Sequence, residues 1–170
     1  MKITFRNTKH LLRLLHIAVA FLFASLSYAQ PSLPERNITV LPTQSLEFGV
    51  FYINGAGTIE VDYQGNVNVT GGVISLNTVS VTPAIFEIKL CQGRLITLDY
   101  DYSVMINGSN GGQLELVIGP TEYGVSGTEF PSKNDCNFIT VLRVGGKIIV
   151  PANAIPGLYS GSFPLNLTQE

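Results

Sequence analysis

Short runs in which apolar and polar residues alternate, separated by turns rich in glycine and proline, dominate the chain from residue 30 onward. In the run 58–63, for example, Ile59 and Val61 alternate with Glu60 and Asp62. Successive side chains of a strand point to opposite faces, so such a run presents one apolar and one polar face. No window after residue 29 shows the 3.6-residue period of an amphipathic helix. The pattern predicts an all-β fold with antiparallel sheets, which can bury one face and leave the other in water.

Runs rich in Val, Ile, Thr, Phe and Tyr predict strands over residues 38–41, 45–51, 58–63, 66–70, 73–76, 84–90, 95–106, 113–118, 138–144, 147–151 and 158–168. Turns are predicted at Asn54-Gly55, Gly71-Gly72, Asn107-Gly108, Gly111-Gly112 and Gly145-Gly146. A long loop is predicted over 123–137. Many short strands in about 140 residues favour a β-sandwich with Greek-key connections, and a small barrel is the alternative.

The first 29 residues have the three parts of a secretory signal peptide. Four basic residues and no acid precede an apolar run over 14–26, and Ser27-Tyr28-Ala29 ends it with small residues at its first and third places. We expect cleavage after Ala29. The thirteen-residue apolar run is shorter than the ~20 residues that span a bilayer, which argues against the alternative of an uncleaved anchor. The expected organisation is a signal peptide (1–29), a flexible leader (30–37) containing two prolines, and one β-sandwich domain (38–170), secreted to the periplasm, cell surface or medium.

Cleavage would leave six basic and twelve acidic residues, a net charge of −6, and would remove both histidines, His10 and His16. A chain without histidine cannot form a Ser-His-Asp or Cys-His triad. It also lacks the usual general base near neutral pH, so we expect no catalytic residues, no metal site and no cofactor. Without a basic surface, nucleic acid is not an expected partner. No transmembrane segment is expected after cleavage.

Cys91 and Cys136 are the two cysteines of the chain, and both follow the predicted cleavage site. In an oxidising compartment such a pair most simply forms a disulfide, although two free thiols or an intermolecular bridge are alternatives. The bridge would close a loop of 46 residues between positions 91 and 136. In the chain-entropy model that closure stabilises the fold by about 4 kcal/mol.

The carboxyl-terminal stretch carries a family resemblance. Val144-Gly-Gly-Lys-Ile-Ile-Val-Pro151 is followed by Pro156-Gly157-Leu-Tyr159-Ser-Gly161-Ser-Phe163. This ending resembles that of a family of secreted bacterial domains of unknown function, and weaker matches upstream extend the resemblance over about residues 38–168. The resemblance implies an immunoglobulin-like β-sandwich similar to some fimbrial major subunits. The cysteine pair departs from the pattern of that family.

Turn and core requirements explain the residues of this motif. Gly145-Gly146 is predicted to form a tight hairpin, for which glycine allows positive φ. Pro156-Gly157 suits a type II turn, with proline second and glycine third. Tyr159, Gly161 and Phe163 share one face of the predicted last strand, which places both aromatic rings in the core. We therefore interpret the motif as structural.

Two sets of residues are candidates for chemistry. Asp99 and Asp101 lie two apart on one face of a predicted strand, which suits a carboxylate pair or a calcium site but equally a solvated face. Tyr123, near Glu122 and Phe130 in the predicted long loop, is the one tyrosine we expect to be exposed on a loop. Since loops carry function, these three residues form a candidate ligand loop.

The sequence thus favours a secreted, non-catalytic structural or adhesive surface protein, with a fimbrial (pilin-like) subunit as the specific hypothesis. Its expected partners are other protein subunits or cell-surface components, and segment 33–41 is a candidate strand for donation to a neighbour's sheet. The terminal segment lacks a penultimate aromatic residue, with Gln169 in that place, which speaks against pilin-type assembly. A secreted carbohydrate- or ligand-binding module is the alternative.

Overall fold

The computed structural model describes residues 38–76, 81–91, 95–133 and 137–169, which form eleven β-strands joined by turns and loops. The strands are β1 (Ile38–Gln44), β2 (Phe51–Val61), β3 (Val67–Ser75), β4 (Ala84–Leu90), β5 (Leu95–Tyr100), β6 (Ser103–Gly108), β7 (Gln113–Thr121), β8 (Thr128–Pro131), β9 (Thr140–Val150), β10 (Tyr159–Ser160) and β11 (Leu165–Gln169). All pairs of strands are antiparallel. The prediction of an all-β fold with antiparallel sheets is confirmed. The predicted signal peptide and leader lie outside the described residues.

The strands form one large, strongly curled sheet, a half-barrel, and one small sheet. The order in the large sheet is β1-β4-β9-β7-β6-β10, with the β2–β3 hairpin branching from β9. The small sheet has the order β11-β5-β8. Inward-facing residues of both sheets belong to one apolar cluster, in which Ile59 and Leu142 of the large sheet join Ile96 and Leu98 of the small one. The predicted alternation therefore builds the core.

β9 is the strand on which the large sheet branches. One edge of β9 pairs with β7, and the other is shared by two strands. On that shared edge β4 pairs with Thr140–Val144 and β2 pairs with Gly146–Val150. The two neighbours part at Gly145, where a Cβ atom would lie 2.6 Å from the carbonyl oxygen of Val61. Glycine is required at this position because the backbone of β2 passes too close for any side chain.

The hairpin predicted at Gly145-Gly146 is therefore wrong, since both glycines lie buried inside β9. Gly71-Gly72 and Asn54-Gly55 also lie within strands, where β2 and β3 change register. A Cβ on Gly72 would lie 2.5 Å from Gly55 Cα. In these three pairs, glycine is needed because two backbones pass close to each other, and not because the chain reverses direction. By contrast, Asn107-Gly108 and Gly111-Gly112 do lie where β6 turns into β7, as predicted.

Two long predicted strands are each divided between the sheets. The run 95–106 becomes β5 in the small sheet and β6 in the large one, and Tyr102 at the break is 73% exposed instead of buried. The run 158–168 becomes β10 and β11, with Pro164 between them. Proline cannot donate to a ladder, so it suits the break. The predicted loop 123–137 contains β8, and of the predicted strand 45–51 only Phe51 is in a strand.

Cys91 directly follows β4, whereas Cys136 lies outside the described residues. The pairing of the two thiols therefore stays a prediction.

Replacing Gly145 by alanine is expected to lower the free energy of unfolding by about 1–3 kcal/mol, since the new Cβ meets backbone atoms that cannot move independently. Gly146→Ala is the matched control in the same strand. Its Cβ would chiefly meet the side-chain Cδ2 of Leu46, at 2.8 Å, which can rotate away. Urea denaturation of both variants measures the difference. An equal or smaller loss for Gly145→Ala would contradict the branch-point explanation.

Candidate functional site

Tyr123, predicted to be exposed, is packed into the fold instead. It follows β7 in a tight turn in which the backbone N–H of Gly124 donates to the carbonyl of Thr121 at 3.1 Å. The Tyr123 ring stacks on the ring of Phe130, with centroids 4.2 Å apart and planes 3° from parallel. Its hydroxyl donates to the carbonyl of Val141 at 3.2 Å. Phe130 is itself buried in β8. The predicted exposure of Tyr123 is therefore wrong, since its ring is half-buried and stacked on a buried ring.

Glu122, the third residue of the predicted ligand loop, is bound to Arg143 of β9. One carboxylate oxygen accepts the backbone N–H of Arg143 and the other accepts its guanidinium Nη1, both at 2.9 Å. The backbone N–H of Glu122 in turn donates to the carbonyl of Arg143 at 3.0 Å. Since the Arg143 side chain is 44% exposed, the ion pair itself contributes no more than about 1 kcal/mol. The contact attaches the turn after β7 to β9.

A cleft of about 400 Å³ opens beside this ion pair. Its lining residues come from the turn after β2, the start of β4 with the residue before it, the turn after β7, and β9: Tyr63, Gln64, Pro83, Ile85, Glu122 and Arg143. Ile85 and Arg143 are directly opposed in the β4–β9 ladder. The cleft therefore lies next to the point where β2 and β4 separate on the edge of β9.

Asp62 orders the segment that carries Tyr63 and Gln64. Its Oδ1 accepts the backbone N–H groups of Gln64 and Asn66, and its Oδ2 accepts the side-chain amide of Asn66 at 2.7 Å. Burial by itself would raise the pKa of Asp62, but the hydrogen bonds from Asn66, Gln64 and Gly65 lower the pKa overall. The carboxylate is therefore ionised near neutral pH and holds this turn closed.

The cleft combines an aromatic ring, two apolar side chains, an amide and an ion pair. Such a set suits a small neutral polar molecule, which needs an apolar surface and a few oriented hydrogen-bonding groups. Within the described ranges, no group of three or more His, Cys, Asp or Glu residues could hold a metal ion. Sequence reasoning did not single out Tyr63, Gln64 or Arg143 as site residues. They are brought together by pairing between distant strands, for which the sequence has no local signal.

The structure does not place Asp99 and Asp101 on one strand face. Asp99 lies in β5, opposite Asn166 of β11, whereas Asp101 lies after the end of β5. Both residues are exposed. The predicted spacing of the pair along one strand is wrong because the chain leaves the small sheet between them.

The second half of the carboxyl-terminal motif packs against the β6–β7 turn. The Asn110 side-chain amide donates to the carbonyl of Pro156 at 2.8 Å, and the Ser109 hydroxyl accepts the N–H of Leu158. Gly157 does not have the positive φ that a type II turn requires. A Cβ there would instead lie 3.0 Å from the Ser109 hydroxyl. The predicted type II turn is wrong, and Gly157 serves the close packing of two loops.

The two aromatic residues of the motif contact the apolar core from its margin. The Tyr159 hydroxyl donates to the carbonyl of Ile155 at 2.6 Å. The Phe163 ring meets Phe86 edge to face, at a centroid distance of 6.4 Å. Between them Gly161 lies against Ile106, where a Cβ would approach the side chain to 2.7 Å. The structural interpretation of the motif stays a prediction.

Comparison with known proteins gives a family match without a named relative. The model of a domain of unknown function, DUF4402, matches residues 38–168. No curated protein and no solved structure matches the chain. In the part of the chain that the structure describes, no helix has the length and apolarity needed to cross a membrane.

Stability is expected to fall as the pH rises above about 10, because burial raises the pKa of both Tyr123 and Tyr100 from the usual 10.0. For Tyr123 the neighbouring charge of Glu122 acts in the same direction. A raised pKa means that the folded state holds the phenolic proton more tightly, so the stabilisation is complete below pH 10 and disappears above it. Tyr123→Phe should make the free energy of unfolding depend less on pH between pH 8 and about 11, as measured by denaturation curves. Tyr52→Phe, at a ring that is 58% exposed, is the control and should leave the curve unchanged.

Proposed function

Because the chain belongs to the DUF4402 family of domains of unknown function, whose match covers the whole series of strands, we propose a function from the structure itself. We propose that the protein is a secreted, non-catalytic structural or adhesive component of the cell surface, and that it assembles as a fimbrial (pilin-like) subunit. The periplasm, the cell surface and the medium are the compartments in which it would act. Its partners would be other protein subunits or cell-surface components.

The position of β1 is the observation that carries this proposal. β1 is the first described strand, and within the described residues it pairs with β4 alone, from Ile38 opposite Leu90 to Gln44 opposite Ile85. Five of its seven residues are exposed. Few core contacts would be lost if this strand left its sheet, so it is the strand most easily exchanged with a neighbouring molecule.

Strand exchange has a small free-energy cost because the incoming strand makes the same contacts as the outgoing one. The predicted donor segment 33–41 overlaps β1 at Ile38–Leu41, and its first part lies outside the described residues. A β1 strand from a second molecule would pair with β4 through the same backbone hydrogen bonds. Repetition of this exchange along a row of molecules would produce a linear assembly.

We also infer that the two sheets form an immunoglobulin-like sandwich with Greek-key connections. The shared apolar cluster supports this arrangement, since side chains from both sheets fill a single core. So does the way in which the chain passes between sheets at the β5–β6 and β10–β11 junctions.

Deleting residues 30–37 from the mature chain is expected to reduce assembly while leaving the fold intact, because the deletion removes residues 33–37, the first part of the predicted donor segment 33–41, and leaves β1 (Ile38–Gln44) in place. Surface labelling and electron microscopy of expressing cells measure assembly, and the thermal midpoint of the purified domain reports on its fold. A Gly/Ser segment of the same length is the control that separates reach from apolar contacts. Undiminished assembly of the deletion variant would contradict strand exchange through β1.

The cleft supports a second candidate function, a carbohydrate- or ligand-binding module. Its volume of about 400 Å³ lies within the ~300–1,000 Å³ range of small-molecule sites. The Tyr63 ring and the Gln64 amide would provide one stacking surface and one hydrogen-bonding group for a sugar ring.

Tyr63→Ala is expected to weaken binding of any glycan that the cleft holds by about tenfold, which corresponds to about 1.4 kcal/mol. Tyr52→Ala removes a tyrosine that is 58% exposed and does not line the cleft, so it should leave binding unchanged. A glycan array followed by calorimetry on each variant provides the measurement. If the array shows no saturable binding, or if both variants lose it equally, the cleft is not a glycan site.

A further inference from the structure

The Glu122–Arg143 ion pair has hydrogen-bonding capacity that the fold does not use. Glu122 Oε2 accepts one N–H of the Arg143 guanidinium, and Oε1 accepts the backbone N–H of Arg143. A carboxylate oxygen can accept a second hydrogen bond, and a guanidinium carries further N–H donors in a planar fork. In the part of the chain that the structure describes, these further donors and acceptors have no protein partner. Both residues can therefore bind a ligand without leaving one another.

Both side chains of the pair are accessible from the cleft. They line it, and the side chain of Glu122 is 20% exposed and that of Arg143 is 44% exposed. The backbone N–H of Glu122 also donates to the carbonyl of Arg143, which fixes the two residues relative to each other. A donor and an acceptor are thus in position before a ligand arrives, which lowers the entropic cost of binding.

The charges around the cleft favour an uncharged ligand. Glu122 and Arg143 offset one another, so the pair has no net charge. Asp62, the carboxylate in the turn that carries Tyr63 and Gln64, already accepts three hydrogen bonds inside that turn. An ionic ligand would therefore find no excess of the opposite charge in the cleft.

Apolar side chains lie beside the ion pair. Ile85 is directly opposite Arg143 in the β4–β9 ladder, so the two side chains share one face of the sheet. Tyr63 and Pro83 line the same cleft. The cleft thus places an aromatic ring and hydrocarbon next to a paired donor and acceptor. A sugar ring has the complementary composition, with C–H groups on its faces and hydroxyls on its edge.

The spacing of the ion pair suits two hydroxyls on adjacent carbon atoms. Arg143 Nη1 and Glu122 Oε2 are 2.9 Å apart, and the oxygens of a gauche vicinal diol also lie one hydrogen-bond length apart. One hydroxyl can donate to Glu122 Oε2 while its neighbour accepts an N–H of Arg143. A lone hydroxyl can make only one of these two bonds, so the pair favours a diol.

We propose that the cleft binds a neutral pyranose through two adjacent free hydroxyls, one bonded to Glu122 and the other to Arg143, with the sugar ring against Tyr63. This inference rests on the ligand-binding function proposed above and names its ligand class. The cleft volume of about 400 Å³ is near the lower end of the ~300–1,000 Å³ range of small-molecule sites, which suits one terminal sugar residue. Because Arg143 stays accessible to water, we expect a dissociation constant on the order of 1 mM.

Deoxy sugars test the diol on the wild-type protein. The mature protein is titrated with the methyl pyranosides of glucose, mannose and galactose and with their monodeoxy derivatives, and NMR chemical shifts measure binding. At least one glycoside should saturate the protein. Removal of either hydroxyl of one adjacent pair should weaken binding by about tenfold, and removal of any other hydroxyl by less than about twofold. Methyl glucuronide, which carries a carboxylate, should bind no more tightly than methyl glucoside.

Two conservative variants test the protein side of the contact. Glu122→Gln keeps an oxygen for the backbone N–H of Arg143 but replaces the other acceptor with an amide N–H. Arg143→Lys keeps the charge and removes the planar fork. Each should weaken glycoside binding by about tenfold. Glu87→Gln is the matched control, since Glu87 lies on the same face of β4, opposite Val141, and does not line the cleft. The thermal midpoint of each variant reports on its fold.

The outcomes separate this inference from the function on which it rests. Binding that Tyr63→Ala weakens and that Glu122→Gln and Arg143→Lys leave unchanged would reject the diol contact but keep the cleft as a glycan site. Equal affinity for a glycoside and all its deoxy derivatives, or tighter binding of methyl glucuronide, would also overturn the inference. If none of the three glycosides binds, the inference is wrong, whereas the ligand-binding function is rejected only if the glycan array is negative as well.

Discussion

The close approach of β2, β4 and β9 at Gly145 is the constraint on which the large sheet depends. One edge of β9 serves two strands in succession, and they can part only where the carbonyl of Val61 comes near enough to exclude a side chain. This branching divides the sheet into a β1–β4 arm and a β2–β3 arm. The cleft lies beside the division, and each arm ends in an edge strand.

The two edges differ in what they offer a partner. β1 makes few core contacts and directly follows the predicted leader, which suits exchange between molecules. By contrast, β3 has Val73 buried and Val69 packed against the core, so it stays in its own sheet. The Glu122–Arg143 ion pair joins the turn after β7 to β9. It therefore does not hold either the β1–β4 arm or the β2–β3 arm in place.

Sequence reasoning succeeded where a local pattern carries the information. The alternation of Ile59 and Val61 with Glu60 and Asp62 predicted the buried face of β2, and the bounds of β4 were predicted as observed. It failed at the glycine pairs, since a glycine needed for backbone contact has the same local appearance as one in a turn. It also missed the cleft, because Tyr63, in the turn after β2, and Arg143, in β9, lie eighty positions apart in the sequence. Tyr123 lies in a turn, but its predicted exposure was wrong because its ring stacks on Phe130, which lies in a four-residue strand with a weak pattern.

The sequence by itself determined the all-β class, the antiparallel pairing and the buried face of individual strands, such as that of Ile59 and Val61, because side-chain alternation is a property of each strand alone. Only the tertiary structure decided which strands share a sheet, where the chain passes between sheets, and which edges stay open. Those features depend on contacts between distant segments, such as Gly55 with Gly72 and Gly145 with Val61. Such a contact cannot be predicted from one run of residues, because it depends on two segments that are far apart in the sequence.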